Sequence, residues 1–391
     1  MRLIEINKKE FENFCKESSQ DNFFQSKYFA QIERKEGYHT YFLGLEQDGI
    51  IRACCMLLSK NVSIFRKRVF YAPRGFIIDY RDEKLLNIFT IAIKDFAKEK
   101  KGIYIKIDPN VMYHDRNFSG DLIEGGLNNS KVVENLTNLD WKKIDNPDYL
   151  LKPSFLYKLN LKGKNEEEIF NDFDLSLQEI IKRNSSIGIT TYPLKKEEYN
   201  KYLDMMINNN NVINYLDLNK NNFKNIIDIL SQHNLLRISI SELDIDEYLK
   251  STIESKNNIG NNPSLIEKLD KQIETIKNMQ YKYGHKIMLG GVLSVIYNNE
   301  YLVLGTVVID KFNNFNPLSS CFYEEIKFAK KKGIEVFNFN GIGNSLENNK
   351  LLNDYKMYNG KVIELIGEYN YVLRTIAYKR EMKKLANKNR Y

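Results

Sequence analysis

Three residues of this chain have the types and settings to do chemistry on a bound ligand. Lys356 lies between aromatic residues in LLNDYKMYNGKVIELIGEYNY. A lysine held this way can steady a developing oxyanion, or it can simply snorkel from a strand surface. Asp108 closes the apolar run IYIKID, just before Pro109. Carboxylates at strand ends in α/β proteins often face a ligand crevice, although an aspartate that opens a turn before proline is the commoner arrangement. Arg74 is fixed between proline and glycine in Tyr71-Ala72-Pro73-Arg74-Gly75. Its guanidinium suits a bidentate carboxylate or phosphate contact; taken alone, a turn arginine in a surface pair is the simpler reading. Gly341-Ile342-Gly343 follows a second strand and would let a ligand approach the backbone, but the rest of a dinucleotide fingerprint is missing, and no P-loop occurs.

Metal and thiol chemistry are disfavoured. Cys15, Cys54, Cys55 and Cys321 show no CxxC spacing, and the histidines (His39, His114, His233, His285) are scattered with no HExxH pair. No metal site is expected, and the thiols read as reduced and buried.

The elements that must position these residues repeat. Ile93 to Asp108 reads IKDFAKEKKGIYIKID, and Ile326 to Asn340 reads IKFAKKKGIEVFNFN. Each is an amphipathic helix with a lysine-rich end, a glycine suited to a helix C-cap, then a short apolar strand. Each follows a hairpin signal: Tyr41 to Leu58 turning at Asp48-Gly49, and Leu289 to Ile309 turning near Asn298-Asn299. The repetition predicts a duplicated α/β domain with two lobes facing a cleft. The first lobe spans about residues 1–150 and the second about 151–364. His114 to Asn129 reads as a loop, Asp145 to Phe155 as a linker, and Glu166 to Arg183 as one helix. Residues 243–283 read as an antiparallel helical hairpin inserted in the second lobe. Ile266, Leu269, Ile273, Ile276 and Tyr283 form its seam, and NNIGNNP breaks it.

The 391 residues, 42% of them hydrophobic and 12% aromatic, suffice for two cores and argue against disorder. No apolar run is long enough to span a membrane, and the N-terminus lacks a secretory signal, so a cytoplasmic protein is expected. Of the net charge of +7, +6 lies after Leu373: Arg374, Lys379, Arg380, Lys383, Lys384, Lys388 and Arg390 against Glu381. This tail reads as a helix with Ile376, Met382 and Leu385 as its apolar positions. It suits peripheral contact with anionic lipid, contact with RNA phosphates, or a solvated end.

Taken in order, FQSKYFAQIERKEGY, YAPRGF, IKIDP, KKKGIEVFNFNGIGN and DYKMYNGKVIELIGEY resemble the Fem family of aminoacyltransferases, which build peptidoglycan cross-bridges. The resemblance covers most of the chain. It implies an α/β (α+β) fold of two tandem GNAT-like lobes, with about residues 365–391 returning to complete the first, and it admits the helical hairpin. It implies transfer of an amino acid from aminoacyl-tRNA to the stem-peptide amine of lipid II or its UDP-linked precursor, with no other cofactor. Glycine is the first expectation for the amino acid, then alanine or serine. By position, Lys356 matches the lysine that stabilises the oxyanion. Asp108 matches the acidic residue near the acceptor amine, as base or orienter. Arg74, with Tyr71 beside it, belongs to the precursor site. Two departures stand out. The N-terminal motif usually has a lysine near Glu33 for the precursor phosphates, and here the nearest cations are Arg34 and Lys35. INNNNVINYLDL replaces the usual arginine and paired tyrosines, leaving Tyr215. The alternatives are an acyltransferase with another donor or acceptor, and a degenerate member that binds tRNA or precursor, alone, as a homodimer or with a paralogue.

Overall fold

The computed structural model describes residues 1–62, 67–145 and 152–388. From the N-terminus the chain forms β1 (Arg2–Glu5), α1 (Lys8–Lys16), α2 (Lys27–Lys35), β2 (His39–Gln47), β3 (Ile50–Asn61) and β4 (Arg68–Ala72). There follow α3 (Glu83–Glu99), β5 (Gly102–Ile107), β6 (Met112–Asp115), α4 (Ser130–Asn138), β7 (Lys142–Lys143) and β8 (Phe155–Asn160). The middle of the chain holds α5 (Glu166–Asn171), α6 (Leu175–Ser186), β9 (Ile189–Pro193), α7 (Tyr199–Asn208), β10 (Asn211–Asn214), α8 (Phe223–Gln232) and β11 (Leu236–Asp244). Next are α9 (Ile245–Asn258), α10 (Pro263–Tyr283), β12 (Lys286–Tyr297), β13 (Glu300–Val308) and α11 (Pro317–Lys331). The chain ends with β14 (Val336–Gly343), α12 (Lys350–Tyr355), β15 (Lys361–Leu365), β16 (Tyr369–Val372) and α13 (Thr375–Lys388).

These elements fall into two compact units. One comprises Met1–Tyr157, Gly341–Leu352 and Lys361–Tyr391; the other comprises Lys158–Asn340 and Asn353–Gly360. The chain thus leaves the first unit near residue 157 and returns to it from residue 341, apart from Asn353–Gly360.

In the first unit the sheet order is β1-β2-β3-β4-β5-β16-β7. Strands β2 to β4 run antiparallel, while β4 and β5 are parallel and joined through α3. Asp48 and Gly49 both take positive φ (52° and 79°), as a two-residue hairpin turn requires. The core gathers Leu43, Leu57, Phe70, Phe89, Ile105 and Trp141. In the second unit the order is β8-β14-β13-β12-β11-β9, with β10 pairing β13. Here β11 to β13 run antiparallel, while β13 and β14 are parallel and joined through α11. A meander followed by a parallel crossover is the GNAT-like arrangement, and it is present twice.

The helical hairpin interrupts the β11–β12 connection. Lys256 pairs with Asp270, Tyr248 with Gln272 and Asp246 with Gln280, so α9 and α10 run antiparallel. Of the expected seam only Ile276 is fully buried; Ile266, Leu269, Ile273 and Tyr283 are half-buried, as befits two helices with little beneath them.

Several expectations need correction. Gly333 ends α11 with φ +75°, but at the matching place in the first unit the left-handed residue is Lys101 (φ +62°). Gly102 is required for a different reason: a Cβ there would lie 2.7 Å from the Ala97 carbonyl and 2.8 Å from Leu373 Cδ1. Glu166 to Arg183 is two helices, because Asp174 accepts a hydrogen bond from the Ser176 N–H and starts a second one. The expected loop at 114–129 begins as β6, and His114 bridges to Asn128. Ile376 is 72% exposed, while Met382 and Leu385 pack as expected. Most of the expected linker (146–151), residues 63–66 and the last tail residues (389–391) lie outside the described residues.

Candidate active site

The first unit gathers side chains from four of the sequence motifs at the end of its parallel β4–β5 pair. Beyond Ala72 the chain turns through Pro73-Arg74-Gly75, with Arg74 at φ +50°. A non-glycine residue held there costs about 1–2 kcal/mol, so surrounding contacts must hold it. The Arg74 N–H donates to Asp108 Oδ1 at 2.7 Å, and Arg74 Nε lies 3.5 Å from Asp108 Oδ2. Arg74 Nη2 donates to the Pro153 carbonyl at 3.0 Å. From the N-terminal motif, Gln25 Nε2 donates to the Pro73 carbonyl at 2.8 Å and Gln25 Oε1 accepts from the Met56 N–H at 2.7 Å. Asn22 Nδ2 donates to the Arg74 carbonyl at 3.3 Å. Gly75 must be glycine, because a Cβ would meet the Gln25 amide at 2.8 Å.

Behind this turn lies a second buried pair. Lys106 Nζ sits 2.9 Å from Glu368 Oε2, with the side chains only 6% and 2% exposed. Glu368 Oε1 also accepts from the Lys152 N–H at 2.7 Å. Residues 152–154 form a strap tied by Glu368, Arg74 and Asn344, whose Oδ1 accepts from the Ser154 N–H at 2.8 Å. Charges so completely removed from water cost several kcal/mol unless paired, and a cluster of them is a mark of function as much as of stability.

Burial pushes the Asp108 carboxyl up to about 6; the negative Glu368 adds to this, and the Arg74 guanidinium opposes it. Burial likewise drives the Tyr71 phenol well above its ordinary range, reinforced by the charges of Asp108 and Glu368. The Tyr71 hydroxyl is turned to Asp108 without the geometry of a full hydrogen bond, and Asp108 Oδ2 completes none either. Two buried polar atoms with spare bonding capacity at one strand end suit an incoming amine or hydroxyl.

The other expected residues lie elsewhere. Arg34 and Lys35 are exposed on the last turn of α2, where Arg34 Nε donates to Thr40 Oγ1. Gly341 is filled rather than open: a Cβ there would lie 2.1 Å from Pro153 Cγ, so this glycine seats the strap. Gly343 (φ +112°) makes a turn. Lys356 belongs to the second unit and lies on a short 3-10 turn, not on a strand. Its neighbours Tyr355 and Tyr358 are buried, each about 5 Å from the Phe339 ring (4.8 and 4.9 Å), which leaves Lys356 exposed on an anchored turn. Tyr215 shares this neighbourhood. Its N–H donates to the Leu304 carbonyl at 3.0 Å; burial pushes its phenol up, and burial likewise raises that of Tyr355, with Tyr215 adding to the shift.

Sequence reasoning missed Gln25, Lys106 and Glu368. Each lies inside a recognised motif, and Lys106 is a polar residue in an otherwise apolar strand, which was the available signal. Among the described residues no group of three or more His, Cys, Asp or Glu side chains could hold a metal ion, and all four cysteines are free and buried. No helix among them is long and apolar enough to cross a membrane.

A doubled α/β fold with a buried, charge-bearing strand end defines an α/β protein of tandem GNAT-like lobes. The FemAB family profile matches residues 6–388, and the chain belongs to that family. It is 22% identical to the aminoacyltransferase FemA of Staphylococcus aureus over 402 aligned positions, covering 94% of both chains. Its fold is similar to the crystal structure of FemX (TM-score 0.74, 20% identity), over 97% of this chain and 99% of that one. A conserved protein of unknown function from Bacteroides thetaiotaomicron resembles it more distantly (TM-score 0.50, 10% identity, 95% of this chain).

Proposed function

We propose that this protein is an aminoacyltransferase of peptidoglycan cross-bridge synthesis. It takes an amino acid, glycine first and alanine or serine next, from aminoacyl-tRNA to the stem-peptide amine of lipid II or its UDP-linked precursor. One observation carries the reading: the family match runs through both units, and four of the family's motifs converge on the Arg74–Asp108 turn.

The chemistry suits these residues. An aminoacyl ester is already activated. The amine nitrogen attacks the ester carbonyl, the carbon–oxygen bond to the tRNA ribose breaks, the amine loses a proton and the ribose oxygen gains one. The protein has to align the two substrates, accept that proton and steady one oxyanion. Lys356, exposed on a turn anchored by two buried tyrosines, is assigned the oxyanion. Arg74 and Tyr71 are assigned to the precursor. Arg34 and Lys35 are assigned to its phosphates, and Tyr215 to the donor side. Asp108 already grips Arg74 through two contacts, so its first assignment is to orient that arginine; its Oδ2, which completes no hydrogen bond, is assigned to the amine.

Calorimetry with coenzyme A and with the UDP-linked precursor tests the reading. It expects binding of the precursor, weakened by Arg74→Lys, and no binding of coenzyme A. Tight coenzyme A binding with no precursor binding would replace it with an acyltransferase that uses a different donor.

A further inference from the structure

We propose that the cleft beside α13 docks the protein on an anionic lipid surface, independently of the reaction assigned above. The cleft has a volume of about 950 Å³ and an apolar floor that includes Val62, Ile103 and Ile376. Among the described residues its rim carries Lys67, Arg374, Arg380 and Lys384, opposed by the single acid Glu381. Helix α13 is fixed in place by its other face, where Met382, Tyr378 and Leu385 pack with Ile103 and Tyr104. Ile376, Arg380 and Lys384 recur at four-residue intervals and so share one stripe of the helix.

Ile376, at 72% exposed, contributes nothing to the core beneath it. An aliphatic side chain set within a cationic stripe is the pattern of an interfacial helix: the cations meet lipid phosphates, and the apolar group enters the headgroup boundary. A surface for RNA would pair its cations with rings able to stack on bases. Among the described residues no aromatic side chain lines this cleft, and the nearby Tyr378 ring is already engaged edge-on with Tyr104 at 5.4 Å.

The test is co-sedimentation of the full chain with phosphatidylcholine vesicles, with and without phosphatidylglycerol, beside filter retention of total tRNA. The expected result is partition onto the phosphatidylglycerol vesicles only, weakened by salt. Arg380→Glu should lower that partition about thirtyfold, since it changes the charge by two and each unit is worth about a factor of five at such a surface. Ile376→Ser should lower it severalfold, an effect that a purely ionic contact would not show. Both positions are exposed, and an unchanged melting midpoint confirms that the fold is kept. Equal partition onto both vesicles, or partition unchanged in both variants, overturns the proposal. So does loss of tRNA retention in Arg380→Glu with vesicle binding intact, which would assign the cleft to RNA.

Discussion

Aligned on the left-handed residues that end their crossover helices, Lys101 and Gly333, the two units set Lys106 against Asn338 and Asp108 against Asn340. The backbone device is the same: a meander, a helix and a parallel strand. The electrostatics differ. In the first unit these positions carry buried charges, paired with Glu368 and Arg74. In the second they carry amides: Asn338 Nδ2 donates to Glu300 Oε1 and Asn340 Nδ2 to the Val303 carbonyl, both at 2.9 Å. Amides satisfy a strand end at little cost, whereas charges must overcome desolvation. A duplicated fold needs its strand ends tied down in both copies, but only one copy uses buried ions for it. That asymmetry points to the first unit as the place where a charged or titrating group is wanted. The second unit offers instead an exposed lysine on an aromatic-anchored turn.

The comparison can be broken most sharply through activity. Lys356→Ala should lower kcat about 100-fold with little change in precursor affinity, because an oxyanion contact is made mainly in the transition state. Asp108→Asn should lower kcat/KM by about the same factor. Equal activity of either variant and the parent in a steady-state transfer assay would remove that residue from the mechanism.

Stability comes next. Lys106→Met leaves Glu368 buried without its cation and should cost about 3–5 kcal/mol, read from the urea midpoint. Asn338→Leu, at the matching place in the second unit, removes two hydrogen bonds, one to Glu300 and one from the Asn340 N–H, and should cost about 2 kcal/mol. Similar losses for both would erase the claimed difference between the units.

The pH dependence sharpens the assignment of Asp108. With its carboxyl raised to about 6, the anion is a minor species at pH 5 and dominant at pH 7. If Asp108 receives the proton, kcat/KM should climb through about pH 6, and that limb should vanish in Asp108→Asn. If it only orients Arg74, the variant keeps the profile at a lower level. Stability runs the other way. The folded pKa lies above the unfolded one, so the contribution of Asp108 is complete below the unfolded pKa and is lost as pH rises through about 6.

The smallest expected effects lie at the two helix ends. Lys101→Gly should stabilise the first unit by up to about 1 kcal/mol, and Gly333→Ala should destabilise the second by about 1 kcal/mol, since both sites have positive φ.

Much of the fold was legible in the sequence because its signals are local. Asp48-Gly49, Asn298, the lysine-ended helices and the Asn262-Pro263 helix start each act within a few residues. Arg74 and Asp108 were legible as turn and strand-end residues. What escaped depends on distant partners. Glu368 and Lys106 are separated by 262 residues, and no local pattern says that they meet. Gly102 resembled a helix cap, yet its actual constraint comes from Ala97 and from Leu373, far along the chain. The break between α5 and α6 is tied to the Met357 carbonyl, which accepts from the Asp174 N–H at 2.8 Å. Ile376 fitted an apolar helical stripe, but the helix turned that position outward.

The most direct test is transfer of radiolabelled amino acids from a charged total-tRNA pool to lipid II and to its UDP-linked precursor. The account predicts label on the stem peptide of one acceptor, from one amino acid, abolished by ribonuclease and strongly reduced in Lys356→Ala. No transfer to either acceptor, with both substrates shown intact by an active Fem enzyme, would contradict it.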